Sequence, residues 1–106
     1  MRKSDFTNRF YKDAEKAKEN GQDIDELKSV MGKLIREEIP LPEKYLDHPL
    51  KGKWKNHRDC HIKDDFVLIY RYFKYNEYYE TEDSIKHKYN GGIVFVRCGP
   101  HSDLNI

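Results

Sequence analysis

Phe66-Val67-Leu68-Ile69-Tyr70-Arg71-Tyr72-Phe73 is a run of aliphatic, β-branched and aromatic residues interrupted by one arginine. Such a run reads as a β-strand. Its apolarity is nearly continuous rather than alternating, so the strand is expected in the centre of a sheet. Downstream, Gly91-Gly92 precedes a second strong strand, Ile93-Val94-Phe95-Val96-Arg97-Cys98, and the chain ends soon after a Gly99-Pro100 turn. Upstream, Phe6, Phe10, Ala14 and Ala17 recur at helical spacing, and Asn20-Gly21 closes that helix as a C-cap. Asp23, three residues before Glu26, makes a capping box for a second helix with Leu27, Val30, Met31, Leu34 and Ile35 on one stripe. Glu37-Glu38 opposes the dipole of that helix, and Pro40 and Pro42 stop it. The expected fold is α+β: two antiparallel N-terminal helices packed on one face of a small antiparallel sheet of three or more strands.

The length of 106 residues suits a single domain over 1–106. Mean hydropathy is −1.01 with 37% charged residues, while 13% aromatic residues argue against disorder. No apolar run reaches the roughly 20 residues of a membrane span, and Met1-Arg2-Lys3-Ser4-Asp5 opens no apolar signal segment. A cytoplasmic protein without membrane contact is expected. In that reducing setting Cys60 and Cys98 read as two buried thiols on neighbouring strands. The net charge of +1 is unevenly spread: Lys51, Lys53, Lys55, Arg58 and Lys63 face only Asp59 in their stretch, whereas Glu77, Glu80, Glu82 and Asp83 cluster further on. The 74–90 segment, with Tyr75, Tyr78, Tyr79 and Tyr89, has no clear period. It reads as an extended β-hairpin, a short helix or a tyrosine-bearing partner surface.

Three histidines stand out. His48 lies between Asp47 and Pro49, and the proline holds it in extended geometry. His61 is followed four residues later by Asp65, which is placed to orient or charge it. His101 follows the Gly99-Pro100 turn at a strand end. Cleaving RNA by attack of its own 2′-hydroxyl needs a base, an acid for the 5′-oxygen and a cation for the phosphorane charge. Two histidines titrating near neutrality and an arginine or lysine suffice, without a metal or cofactor. Arg97, beside His101, is the candidate phosphate fork. Lys51, Lys53, Trp54, Lys55 and Arg58 are candidates to hold the RNA backbone and offer a stacking face.

These residues resemble the YafQ-type branch of the RelE/ParE superfamily of bacterial toxins. The resemblance rests on Phe10-Tyr11-Lys12-Asp13, Leu41-Pro42, Asp47-His48-Pro49-Leu50 with Gly52 and Trp54, Arg58-Asp59-Cys60-His61, Asp65, Leu68-Ile69-Tyr70, and Arg97 with Gly99 and His101-Ser102-Asp103-Leu104. It implies a RelE-like fold and a catalytic set of His48, His61, Asp65 and His101. It further implies a ribosome-dependent mRNA endoribonuclease that cuts in the A site, and a cognate antitoxin that binds operator DNA in complex with the toxin. Two features depart from the family: Asn105 stands where a phenylalanine is common, and the 74–90 insertion is longer than usual. Two other readings remain: a zinc module built from His57-x2-Cys60 and Cys98-x2-His101, and a toxin-fold binding module without catalysis.

Overall fold

A computed structural model describes residues 3–73, 77–80, 86–89 and 92–106. The elements are β1 (Ser4–Phe6), α1 (Asn8–Glu19), α2 (Ile24–Ile35), β2 (His48–Pro49), β3 (Arg58–Lys63), β4 (Phe66–Tyr72), β5 (Glu77–Glu80), β6 (Lys86–Tyr89), β7 (Ile93–Gly99) and the one-turn α3 (His101–Leu104). Single 3-10 turns at Glu43–Tyr45 and Gly52–Trp54 flank β2. No helix among the described residues is long and apolar enough to cross a membrane.

The five-stranded sheet has the order β1-β7-β4-β3-β2, so β4 occupies the centre as its composition requires. Alternate side chains of β4 enter two separate cores. Phe66, Leu68 and Tyr70 pack with Phe10, Ala17, Leu27, Val30 and Leu34 of the two helices. Val67 and Ile69, with Phe73, pack on the opposite face with Val94, Val96 and Leu104, and Leu50 and Trp54 close that smaller cluster. Cys60 and Cys98 are both buried, but on β3 and β7, which flank β4 rather than each other. The expectation of neighbouring strands fails because the central strand lies between them.

Both helices are delimited by the local chemistry of their ends. The Thr7 hydroxyl accepts from Phe10 N at 2.9 Å and itself donates to the Val96 carbonyl at 2.7 Å, tying the start of α1 to β7. Asp23 caps α2 by accepting from Glu26 N at 3.0 Å. At the other ends, Gly21 N and Gln22 N donate to Lys18 O and Ala17 O, and Glu37 N and Glu38 N donate to Leu34 O and Lys33 O. These are paired Schellman closures. The second uses Glu37 at φ 62°, so α2 ends five residues before Pro40 and the prolines do not stop it.

Two expectations are corrected. The sheet is not wholly antiparallel, because β1 runs parallel to β7 with Ser4 opposite Ile93 and Phe6 opposite Phe95. Phe6 therefore belongs to a strand and not to α1; its spacing from Phe10 coincides with a helical period because both rings pack on Phe95. In the 74–90 segment the backbones of β5 and β6 pair antiparallel as a separate two-stranded sheet. The tyrosine contacts expected there lie outside the described residues.

Leu68 is fully buried within β4. Replacing it with Ala is expected to lower unfolding free energy by about 3 kcal/mol, the middle of the range for buried Leu→Ala changes, as measured by denaturant titration. A loss below about 1 kcal/mol would show that β4 is not the central packing element.

Candidate functional site

In β3, Cys60 and Ile62 face the helix-side core, so the pleat turns Asp59 and His61 to the other face of the sheet. His48 on β2 pairs with Asp59, and His61 pairs with Val67 on β4. After Gly99, whose φ of 150° few other residues adopt, Pro100 redirects the chain and α3 returns over the same face. Leu104 of α3 is buried in the smaller cluster, which anchors His101 beside His61. The three imidazoles thus form a row, with ring centroids 6.3 Å apart for His48 and His61 and 5.0 Å apart for His61 and His101.

Each end of the row has an oxygen on its Nδ1. His101 Nδ1 is 2.7 Å from Asp65 Oδ1, and the same oxygen accepts from His101 N at 3.0 Å. Asp65 in the β3–β4 turn therefore orients His101, not His61 as its place in the sequence suggested. The backbone N–H and then the imidazole of His101 hold the Asp65 carboxyl below its ordinary range. At the other end, His48 Nδ1 is 2.7 Å from the Leu46 carbonyl and 3.0 Å from Asp59 Oδ1. Asp59 is 2% exposed, and burial raises its pKa against the opposing pull of His48, His61 and His101. Sequence reasoning passed over Asp59. The signal was there: it is two residues from His61 in a strand, hence on the same face.

The His48 loop is held from beneath. Asp47 accepts from Arg58 Nε and Nη2 at 3.4 and 3.2 Å and from the buried Tyr70 hydroxyl. Burial, and then the Asp47 carboxylate, push the Tyr70 phenol far above its ordinary range, so it stays a donor. Two shallow grooves leave the row on either side of the exposed Leu46. One is lined by Tyr45, His61, Lys63 and Asp64, the other by Pro40, Leu41, Asp47, His48 and Arg58.

The cationic residues sort into two groups. Lys51, Lys53 and Lys55 are exposed, with Lys53 over the Trp54 ring at 5.7 Å. Arg58 and Arg97 are committed elsewhere. Arg97 makes a bidentate pair with Asp13 of α1 at 2.8 and 3.0 Å, so the expected free phosphate fork is absent from this arrangement. β1 covers β7 only as far as Phe95, and beyond it the Arg97 side chain passes the sheet edge to reach α1. Trp54 donates from Nε1 to Leu104 O at 3.2 Å and packs on the smaller cluster, which makes it a clasp on α3. Asn105 caps α3 in left-handed conformation at φ 58°.

The zinc reading is corrected. Cys60 and Cys98 point into the helix-side core, where burial raises both thiols, Cys98 to about 12. His57 packs against Trp54 on the other side of the sheet and His101 lies in the histidine row. Among the described residues no three His, Cys, Asp or Glu side chains are arranged to hold a metal ion.

The family of bacterial toxins of type II toxin-antitoxin systems named YafQ matches residues 2–106. The mRNA interferase toxin YafQ of Escherichia coli K12 is 40% identical over 71 residues, 67% of this chain and 77% of that protein. The structure of YafQ from E. coli BL21(DE3) superposes with a TM-score of 0.80 at 31% identity over 98% of both chains. The E. coli DinJ-YafQ toxin-antitoxin complex gives a TM-score of 0.77 at 32% identity, covering 97% of this chain and 96% of that one. On the full-length match and this shared architecture, the chain belongs to the YafQ family of type II toxin-antitoxin toxins.

Proposed function

We propose that this toxin is a ribosome-dependent mRNA endoribonuclease that cuts in the A site by metal-independent acid-base catalysis, with 1–106 acting as one toxin domain in the cytoplasm. The observation that carries the reading is the row of three imidazoles, whose two outer members both turn Nδ1 to an oxygen acceptor. With Nδ1 so engaged, Nε2 is the nitrogen available to substrate. A relative named for mRNA interferase activity supports the same substrate class.

In the proposed reaction one outer imidazole takes the 2′-hydroxyl proton, and the 2′-oxygen bonds to phosphorus. The bond from phosphorus to the 5′-oxygen breaks as the other outer imidazole donates its proton to that oxygen. The products are a 2′,3′-cyclic phosphate and a 5′-hydroxyl. His61, between the two, is placed to stabilise the phosphorane as an imidazolium, a task the committed Arg97 does not share. Lys51, Lys53 and Lys55 steer the RNA backbone as exposed point charges. The E. coli DinJ-YafQ toxin-antitoxin complex supports a cognate antitoxin as partner; in this reading the antitoxin holds the toxin inactive and their complex binds operator DNA.

Purified protein is expected to cut mRNA on programmed ribosomes with EDTA present, and His61→Ala and His101→Ala are each expected to lower the rate by roughly 100-fold or more. Cleavage that EDTA abolishes, or that survives both substitutions, overturns the acid-base reading.

The Asp65–His101 contact carries its own pH dependence. The folded-state pKa of Asp65 is depressed, so the contact is complete above the ordinary carboxylate value of about 3.9 and is lost as pH falls through the lower folded value. The His101 ring environment, followed by NMR, should show no carboxylate titration above pH ~4. Asp65→Asn should slow cleavage about tenfold while leaving the thermal midpoint unchanged, because Asp65 is solvent-exposed. A carboxylate titration seen in His101 above that pH would show that the contact is not formed.

A further inference from the structure

Asp59 is the one buried charged residue among the described residues. Its cross-strand neighbours are His48 on one side and Ile69 of the smaller core on the other. Although His48 Nδ1 is 3.0 Å from Asp59 Oδ1, the nitrogen is aligned on the Leu46 carbonyl, and Oδ1 has no well-directed hydrogen bond among the described residues. A buried carboxylate oxygen left in this state costs stability. Packing does not account for it, since an apolar residue at position 59 would suit Ile69 better.

The groups that face the carboxylate supply another account. His48 comes from β2, His61 from the next outward position of β3, and His101 from α3, with Asp47 the one acid that adds to its charge. A negative charge behind three imidazoles opposes the cost of protonating any of them. It is strongest at His48, whose Nδ1 it nearly touches.

We infer that Asp59 is a positioning residue that acts through His48. The Leu46 carbonyl aligns the ring with Nδ1 inward and Nε2 outward, and Asp59 beside it provides the counter-charge that lets His48 accept the 2′-hydroxyl proton. The role rests on the cleavage reading above and assigns His48 as the proton acceptor, leaving His101 as the donor. Asp59 does not touch substrate; it makes the imidazolium of His48 cheaper to form, as a carboxylate behind a general-base histidine does.

The test separates the coupling from the activity. In Asp59→Asn, the His48 titration midpoint read by NMR on the full chain should fall by about one pH unit, and the acidic limb of the cleavage profile should move with it. The thermal midpoint at neutral pH should stay the same or rise, because the variant no longer buries a charge. A structural carboxylate would instead lower the midpoint and leave His48 unmoved, and that result overturns the inference.

If Asp59→Asn does not fold, His48→Gln at its exposed position reads the same coupling from the other end. Removing the histidine should raise the Asp59 carboxyl midpoint by about the same one unit, since coupling between two sites is reciprocal. No shift in Asp59 sinks the proposal. Both NMR readings are independent of RNA cleavage, so a wild-type protein that fails to cut ribosomal mRNA counts against the function while the Asp59–His48 coupling is still decided.

Discussion

The structure depends on β4 being buried on both faces. A strand in that position needs a layer on each side, and the chain supplies two layers of unequal size. α1 and α2 cover one face with a continuous set of apolar side chains. The other face receives the single turn of α3, Leu50 and Trp54, enough to cover β4 and β7 but not β3 and β2. The uncovered strip is where His61 and His48 lie, with Asp59 buried beside them. The histidine row therefore occupies the part of the sheet that the chain leaves open, and Trp54 and Leu104 matter to it because they fix the element that carries His101.

The two ends of the row are built from the same pair of groups in opposite surroundings. Asp65 is exposed, accepts two hydrogen bonds from His101 and has its carboxyl stabilised as an anion. Asp59 is buried, lacks an aligned donor on Oδ1 and has its carboxyl destabilised as an anion by its burial. A solvated carboxylate holds geometry and adds little field, because water screens it. A desolvated one acts at higher effective field strength and costs more to keep. The asymmetry suits a reaction in which one histidine must release a proton and the other must take one up, since groups whose environments differ in this way are driven toward different roles.

Much of this was legible in the sequence, for reasons that can be assigned to particular residues. The apolar run of β4 fixed its central place because only a doubly covered strand tolerates Val67, Leu68, Ile69 and Tyr70 in succession. Asp23 and Gly21 marked helix ends through local capping, which acts over three or four residues and so shows in the sequence. β1 did not show, since Ser4-Asp5-Phe6 carries no period and forms only where β7 offers an open edge. The site was half visible. His48, His61, Asp65 and His101 do come together, yet the partner of Asp65 was misread, because a four-residue separation across a turn says less than the 36-residue return of α3. Arginine roles were least legible. Whether a guanidinium is free depends on a carboxylate that Arg97 finds 84 residues away in Asp13.

The pairing of the arginines constrains how the proposed site would meet RNA. A chain that is 37% charged yet has a net charge of +1 must neutralise most of its charge internally. Arg58 with Asp47, Arg97 with Asp13, Lys16 with Asp103 and Lys63 with Asp23 do so here. The bidentate forks, which would bind phosphate best, are spent on holding the His48 loop and the end of β7 in place. What faces outward beside the row is Lys51, Lys53 and Lys55, compact charges whose pull on phosphate is screened within about 10 Å at 0.1 M salt. Point charges of this kind attract phosphate without fixing its register. In the proposed cleavage, the precision needed to set a 2′-hydroxyl against one imidazole and a 5′-oxygen against another then falls to whatever presents the RNA, which is the physical argument for the proposed dependence on the ribosome.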